Sequence, residues 1–169
     1  MSNTLISESF RITKEDFVNM QLEKRSLMIP KENKIILRIL GMIAIACGTA
    51  AFINIRENIY QIICWILLII TGFYAVSYYD FIDAAFTAKN AADFYNYNEK
   101  NISSKKIEFT EEAFRISDEE HRLMLPKKFI NRICIEKKTV FIFTDCENFY
   151  YIPKRILSEK QLQIIKEFV

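Results

Sequence analysis

The sequence predicts an α+β membrane protein, in which a two-helix transmembrane hairpin carries a cytoplasmic antiparallel β-meander that a C-terminal amphipathic helix closes. Two apolar stretches of about 21 residues each, 35–55 and 59–79, are separated by only three residues. Short runs with strand-like alternation follow, and the chain ends in a segment with helical apolar spacing. The remaining predicted regions are an N-terminal strand and helix (1–34), a juxtamembrane helical extension (80–100) and a β-rich domain (101–169).

The N-terminal region carries a strand signal followed by a helix signal. Residues 10–12 predict a short strand, and the hydroxyl of Thr13 is placed to cap a helix that begins at the next residue. We expect this helix to fade near Arg25, and Pro30 marks a break before the first apolar stretch.

Each apolar stretch has the length of a membrane span. At about 1.5 Å per residue it reaches roughly 30 Å as a helix, which matches the hydrocarbon thickness of a bilayer. Buried helices of a soluble domain are the alternative, but they usually carry a polar stripe, and these stretches have almost none. A cleaved secretory signal is disfavoured because 34 mostly polar residues precede the first stretch. We therefore expect a multi-pass protein of the cell membrane.

The distribution of basic residues predicts the orientation of the hairpin, since positively charged flanks stay in the cytoplasm. The basic residues near the spans are Lys24, Arg25, Lys31, Lys34 and Arg38 at the first, Arg56 in the connection, and Lys89 and Lys100 after the second. Both termini are therefore predicted to be cytoplasmic. Arg38 lies one turn inside the first span, from which it can reach the lipid headgroups.

Small residues recur along both spans at spacings of three and four, which allows close approach of two helix backbones. The predicted helix-packing residues are Gly41, Ala44, Gly48 and Ala51 in the first span and Gly72 and Ala75 in the second. The short connection favours packing within one chain. A homodimer through the same stripe is the competing interpretation.

The C-terminal region predicts an antiparallel meander of six strands whose turns are acidic. The predicted strands are 106–110, 113–117, 122–125, 129–136, 139–144 and 148–152. Pro153 ends the last strand, and Ser158 and Gln161 form a capping box at the start of the final helix. A curled sheet closed by one helix has the outline of a pleckstrin-homology-like module. Because about 64 residues barely form a core, we expect the N-terminal strand and helix to complete this domain.

Three segments and the hairpin between them carry a family resemblance: FRITKEDF at 10–17, IEFTEEAF at 107–114 and FYYIPKRIL at 149–157. The chain resembles the YcxB-like bacterial membrane proteins over nearly its full length. That resemblance implies no established biochemical activity. The chain departs from the family pattern at 126–129, where Pro-Lys-Lys-Phe replaces a Trp-Ser type segment.

Composition and motifs disfavour catalysis and nucleic-acid binding. All three glycines lie in the apolar stretches, so the polar regions have no glycine-rich loop to cradle a phosphate. His121 is the single histidine, and a solvated turn is its preferred interpretation over a metal site with Cys134 and Cys146. Acidic residues balance basic ones almost one for one, which is atypical of nucleic-acid binding. We expect no enzyme activity, no cofactor and no nucleic-acid partner.

Basic pairs at the predicted strand ends are the most suggestive cluster outside the spans. Alternating strand direction places Lys137, Lys138, Lys154 and Arg155 on one edge, which we call the basic edge, and the 127–128 pair on the other. This edge is a candidate lipid-facing surface, since each cation near anionic headgroups gains about 1 kcal/mol. Simple solvation of strand ends is the alternative.

Two function classes remain open. The first is a non-enzymatic, membrane-tethered interaction module that binds a protein partner or a second copy of itself. The second is a module that binds or senses anionic lipid headgroups through the basic edge. In both, the lipid bilayer is the one partner that the apolar stretches directly predict.

Overall fold

The computed structural model describes residues 4–54, 59–99, 104–118, 121–145 and 148–168. The chain divides into two compact units: a sheet unit made of Met1–Glu23 and Asn90–Val169, and a helix unit made of Lys24–Lys89. These boundaries differ from the predicted junctions at 34/35 and 100/101. The connection at 56–58, predicted as the outer turn, lies outside the described residues.

The fold is a mixed α+β arrangement with two long apolar helices and two antiparallel sheets that are not closed into a barrel. The helices are α1 (Lys14–Met28), α2 (Lys31–Asn54), α3 (Ile59–Ser77), α4 (Asp83–Asn98) and α5 (Glu159–Lys166). The strands are β1 (Thr4–Arg11), β2 (Ser104–Thr110), β3 (Ala113–Ser117), β4 (Arg122–Pro126), β5 (Arg132–Ile135), β6 (Thr139–Phe143) and β7 (Phe149–Pro153).

The first sheet has four strands in the order β1-β2-β3-β4, all antiparallel. Strand β1 therefore pairs with a strand that follows it by about a hundred residues, with Glu8 opposite Ile107. Alternation decides which side chains are buried: Ile107 and Phe109 are fully buried, whereas Lys106 and Glu108 between them are not. The strand predicted at 10–12 is longer in the structure, where β1 begins at Thr4, and it ends at Arg11 rather than at Ile12.

The second sheet has three strands in the order β5-β6-β7, and every residue of the central strand β6 is buried. The prediction of a single meander is wrong at its middle, where the strands divide into two sheets. Residues Lys127–Phe129 form a 3₁₀ turn after Pro126, so the predicted strand at 129–136 begins only at Arg132. Among the described strands, none pairs across this break.

The core of the sheet unit lies between the sheets and α5. Phe109, Phe114, Ile142, Ile152 and Ile165 are each fully buried within one apolar cluster. The predicted capping box of α5 is confirmed: the Ser158 hydroxyl accepts the backbone N–H of Gln161, and the Gln161 side chain accepts the backbone N–H of Ser158.

The helix unit contains α2 and α3, which pack along each other. Both α2 and the helical stretch from Ile59 to Asn98 are long and apolar enough to cross a membrane, by length and composition. A π-helical turn at Tyr78–Ile82 interrupts this stretch. Helix α1 extends to Met28, beyond the predicted end near Arg25.

Two ion pairs join the polar ends of the helix unit. The Arg25 guanidinium donates two hydrogen bonds, at 3.0 and 3.1 Å, to the carboxylate of Asp83, whose side chain is only 10% exposed. Arg38 donates to Asp80 within the π-helical turn. Arg38, which we expected to reach lipid headgroups, thus has a carboxylate partner in its own chain.

Candidate partner-binding surfaces

The four cations of the basic edge lie together, because strand pairing brings their two turns side by side. Thr139 pairs with Pro153, and the Lys154 backbone N–H donates to the Lys138 carbonyl at 2.7 Å. Lys137, Lys138, Lys154 and Arg155 line one open cleft of about 580 Å³. The opposite wall of this cleft belongs to the first turns of α1.

Carboxylates of α1 neutralise part of the basic edge. Asp16 accepts hydrogen bonds from Arg155 at 2.7 Å (Nη2) and 2.9 Å (Nε), and Glu15 accepts from the Lys138 ammonium at 3.0 Å. Glu23, two turns further along α1, accepts the Lys138 backbone N–H at 2.8 Å. Two of the four cations are therefore committed to internal pairs, and the cleft is mixed in charge.

The acidic wall was missed by the sequence analysis, although a signal was present. Two carboxylates occupy the first turn of α1, and Glu23 falls on nearly the same helix face as Asp16. This acidic stripe has the opposite sign to the basic edge. Complementary charge could have suggested the pairing, but only the tertiary fold brings the two together.

Hydrogen bonding keeps both carboxylates of the first turn ionised. The Lys138 ammonium is the main cause of a pKa of Glu15 below its ordinary value. For Asp16, burial alone would raise the pKa, but hydrogen bonds from Arg155 and from Thr13 outweigh burial and lower it. The Asp16 hydrogen bond in turn raises the pKa of Arg155.

A second charged surface lies on the outer face of the four-stranded sheet, where alternate residues of β2, β3 and β4 point away from the core. We call it the outer sheet face; its residues are Lys106, Glu108, Arg115, Ser117, Arg122 and Met124, around a depression of about 490 Å³. Among the described residues of this face, three cations surround a single carboxylate. The period-2 alternation that buries Ile107 and Phe109 places Lys106 and Glu108 on this face, but only the pairing of β2, β3 and β4 brings its charged residues together.

The carboxylate of Glu108 lies among the cations of the outer sheet face. The Lys106 ammonium lies 2.7 Å from one Glu108 oxygen, and the Arg115 guanidinium lies 3.9 Å from the other. The Lys106 hydrogen bond is the main cause that lowers the pKa of Glu108. The Nε atom of Arg115 is buried, with no acceptor among the described residues.

The candidate catalytic and metal residues do not form a cluster in the described part of the chain. The His121 side chain is 80% exposed and lies 3.5 Å from Asp118 across a turn. Cys134 is a half-buried thiol on β5, and Cys146 lies outside the described residues. No group of three potential metal ligands occurs among residues that the structure describes.

The glycines singled out for helix packing lie where α2 and α3 approach most closely. A Cβ atom on Gly41 would lie 2.7 Å from the Gly72 carbonyl oxygen, and one on Gly72 would lie equally close to the Gly41 oxygen. A Cβ on Gly48 would meet Ile69 at 2.7 Å. The other predicted packing residues, Ala44, Ala51 and Ala75, are half-buried.

Comparison with known proteins adds no relative to this description. No protein-family model matches the chain, and a search of curated proteins finds no match either.

Proposed function

We propose that the chain is a membrane-anchored interaction module whose helix hairpin holds a cytoplasmic sheet unit at the inner face of the cell membrane. The observation that carries this proposal is the exposure of the apolar helices. In the apolar 18-residue window of each candidate span, only 11% of the first and 6% of the second is buried within the protein. A core helix of a soluble domain would be mostly buried.

The side chains on these helices explain why water is an unfavourable surrounding. Ile36, Leu40 and Met42 of α2 and Leu67 and Phe73 of α3 are each more than half exposed. Each large apolar side chain left in water forgoes about 1.5–3 kcal/mol of burial free energy. A bilayer removes this cost, and the basic flanks of α2 favour cytoplasmic termini.

Strand count and order support a pleckstrin-homology-like assignment of the sheet unit. A four-stranded sheet, a three-stranded sheet and a C-terminal helix occur in this chain order. We include membership of the YcxB-like family in the proposal, on the segments that carry the resemblance. Interaction, rather than catalysis, is proposed because the notable surfaces are charged faces and open strand edges.

Membrane insertion and orientation can be tested on one labelled chain. His121→Cys, in a chain whose native cysteines are replaced by alanine, places a thiol at an 80% exposed position of the sheet unit. We expect the chain to stay in membranes after alkaline carbonate washing, and the thiol to react with an impermeant maleimide only after cells are opened. Release by carbonate, or labelling of intact cells, contradicts the proposal.

The interaction role needs a separate experiment. Photo-crosslinking from the outer sheet face in intact membranes should attach a protein partner, whereas the same crosslinker on exposed Lys160 of α5 should attach little. Equal, diffuse labelling from both positions contradicts an interaction module.

Binding of anionic headgroups is the second candidate, favoured by the cations of the basic edge. Internal pairing of Lys138 and Arg155 weakens it. In nanodiscs, amide exchange at 137–138 and 154–155 should slow as the fraction of anionic lipid rises and recover in high salt. Indifference to lipid charge rejects this candidate.

A further inference from the structure

Strand β4 is an open edge of the four-stranded sheet. It pairs with β3 only, and no other described strand pairs with it. Arg122, Leu123 and Met124 are exposed, and Met124 is 54% exposed. Strand edges carry unpaired backbone groups, with which another strand can pair.

Two backbone hydrogen bonds at the ends of the β3–β4 ladder show which residues of β4 form hydrogen-bonded pairs with β3. The Asp118 N–H donates to the His121 carbonyl at 2.9 Å, and the Lys127 N–H donates to the Glu112 carbonyl at 2.8 Å. In an antiparallel ladder, hydrogen-bonded and non-hydrogen-bonded pairs alternate. Residues 121 and 127 belong to hydrogen-bonded pairs, and by alternation so do residues 123 and 125 of β4.

The backbone groups of alternate β4 residues consequently point away from the sheet. Leu123 and Leu125 use their N–H and C=O groups to pair with β3. Arg122, Met124 and Pro126 direct theirs outward, offering two N–H donors and three carbonyl acceptors. Pro126 has no N–H, but the ladder with β3 loses no hydrogen bond, because the backbone groups at this position face outward.

Charge beside this edge selects the kind of strand that fits it. The side chains of Arg122 and Met124 lie on the outer sheet face with Lys106 and Arg115, where Glu108 is the one carboxylate among the described residues that line the depression. An incoming carboxylate would meet two arginines, whereas an incoming cation would meet repulsion.

We propose that β4 accepts an extended acidic segment of a partner protein as a fifth strand of this sheet. The partner backbone pairs with the outward groups of Arg122 and Met124, and its alternate Asp or Glu side chains reach Arg115 and Arg122. This inference rests on the proposed interaction function and names its site and its ligand chemistry.

The end of β1 and the β5 edge fit such a segment less well. At the end of β1, the Arg155 guanidinium donates a hydrogen bond to the Arg11 carbonyl at 3.0 Å. The Tyr95 hydroxyl donates to the next carbonyl, that of Ile12, also at 3.0 Å. These carbonyls therefore already have partners. Helix α5 contacts β5 of the second sheet. Strand β4 combines backbone donors that point outward and have no strand partner among the described residues with exposure and complementary charge.

Site-resolved amide exchange on the full chain in nanodiscs tests the proposal with two synthetic probes. One is a ten-residue peptide of alternating glutamate and valine, and the other replaces every glutamate by lysine. At saturating concentration, the acidic probe should slow exchange of the Arg122 and Met124 amides at least about tenfold. The amides of Leu123 and Leu125, already bonded to β3, are internal controls that should change less.

Two variants separate backbone pairing from charge. Met124→Pro removes an outward donor and leaves the β3 ladder intact, so it should weaken binding of the acidic probe at least about tenfold. Met124→Val keeps the donor and is the matched control. Arg122→Glu should weaken the acidic probe and strengthen the lysine probe, and it retains the test if the proline variant does not fold.

Several results would overturn the proposal. These are equal effects of both probes, no protection by the acidic probe, or unchanged binding to Met124→Pro. Protection without a probe that disappears in nanodiscs holding one copy would identify a second copy as the occupant. If Met124→Pro keeps its crosslinked partner in intact membranes, the interaction function stands and this site is wrong.

Discussion

Replacing Asp16 with alanine should loosen α1 from the turns of the three-stranded sheet. The Asp16 carboxylate, whose side chain is 9% exposed, accepts the Thr13 N–H at 2.9 Å and the Arg155 guanidinium at 2.7 Å. Loss of the capping bond costs about 0.5–1 kcal/mol. Loss of the pair with half-exposed Arg155 adds about 1–2 kcal/mol after solvent screening is allowed for.

Amide exchange measures this loss locally. A decrease of about 1.5–3 kcal/mol in the opening free energy should accelerate exchange in the second turn of α1, residues 17–20, by roughly 10- to 150-fold. Asp16→Asn retains an oxygen for the Thr13 N–H and should cause a smaller effect. Glu15→Gln, in an exposed pair, should cause no measurable change.

The comparison between these variants decides whether the reasoning holds. Exchange in Asp16→Ala as slow as in the unchanged chain would show that the pair does not hold α1 in place. An equal effect of Glu15→Gln would show that diffuse charge, rather than the specific geometry at Asp16, is responsible.

Three further predictions concern pH, helix packing and the buried carboxylate of the helix unit. Because the folded pKa of Asp16 lies below its ordinary value, its contribution is complete at neutral pH and is lost as pH falls below about 4, which exchange in α1 can follow. Gly72→Val places a Cβ 2.7 Å from a backbone oxygen of the facing helix, so the free energy of unfolding should fall by about 1–3 kcal/mol in thermal unfolding monitored through Trp65. Ala46→Val, at an exposed position of α2, should cause no such loss. Equal melting of the two variants contradicts close approach of the helices. Asp83→Ala removes both hydrogen bonds to its arginine partner and should speed exchange at the end of α1 roughly tenfold, while unchanged exchange there contradicts a structural role for the pair.

Local patterns were sufficient for most elements of the fold. The helix caps at Thr13 and Ser158 were readable because a cap depends on residues within one turn. The strands predicted at 106–110 and 113–117 similarly lie close to the bounds of β2 and β3. The ends of strands were less well predicted, since pairing partners rather than propensity decide where a strand stops.

The charged surfaces were less predictable because they depend on contacts between distant segments. Asp16 and Arg155 are separated by 139 positions, and no local pattern links them. The break at 127–129 likewise divides one expected meander into two sheets. Charge repetition pointed to the four cations of the basic edge, which line one cleft, but the acidic residues on the opposite wall of that cleft come from a distant segment of the chain.

The pairing of β1 with β2 has a consequence for how the protein is made. Synthesis proceeds at about 5–20 residues per second, so β1 waits roughly 5–20 s for a partner that is translated about a hundred residues later. During that interval its apolar positions, Ile6 and Phe10, have no sheet to join. The ribosome must complete both long helices before β1 can pair with β2, so the four-stranded sheet forms only after the segment between its first two strands has been synthesised.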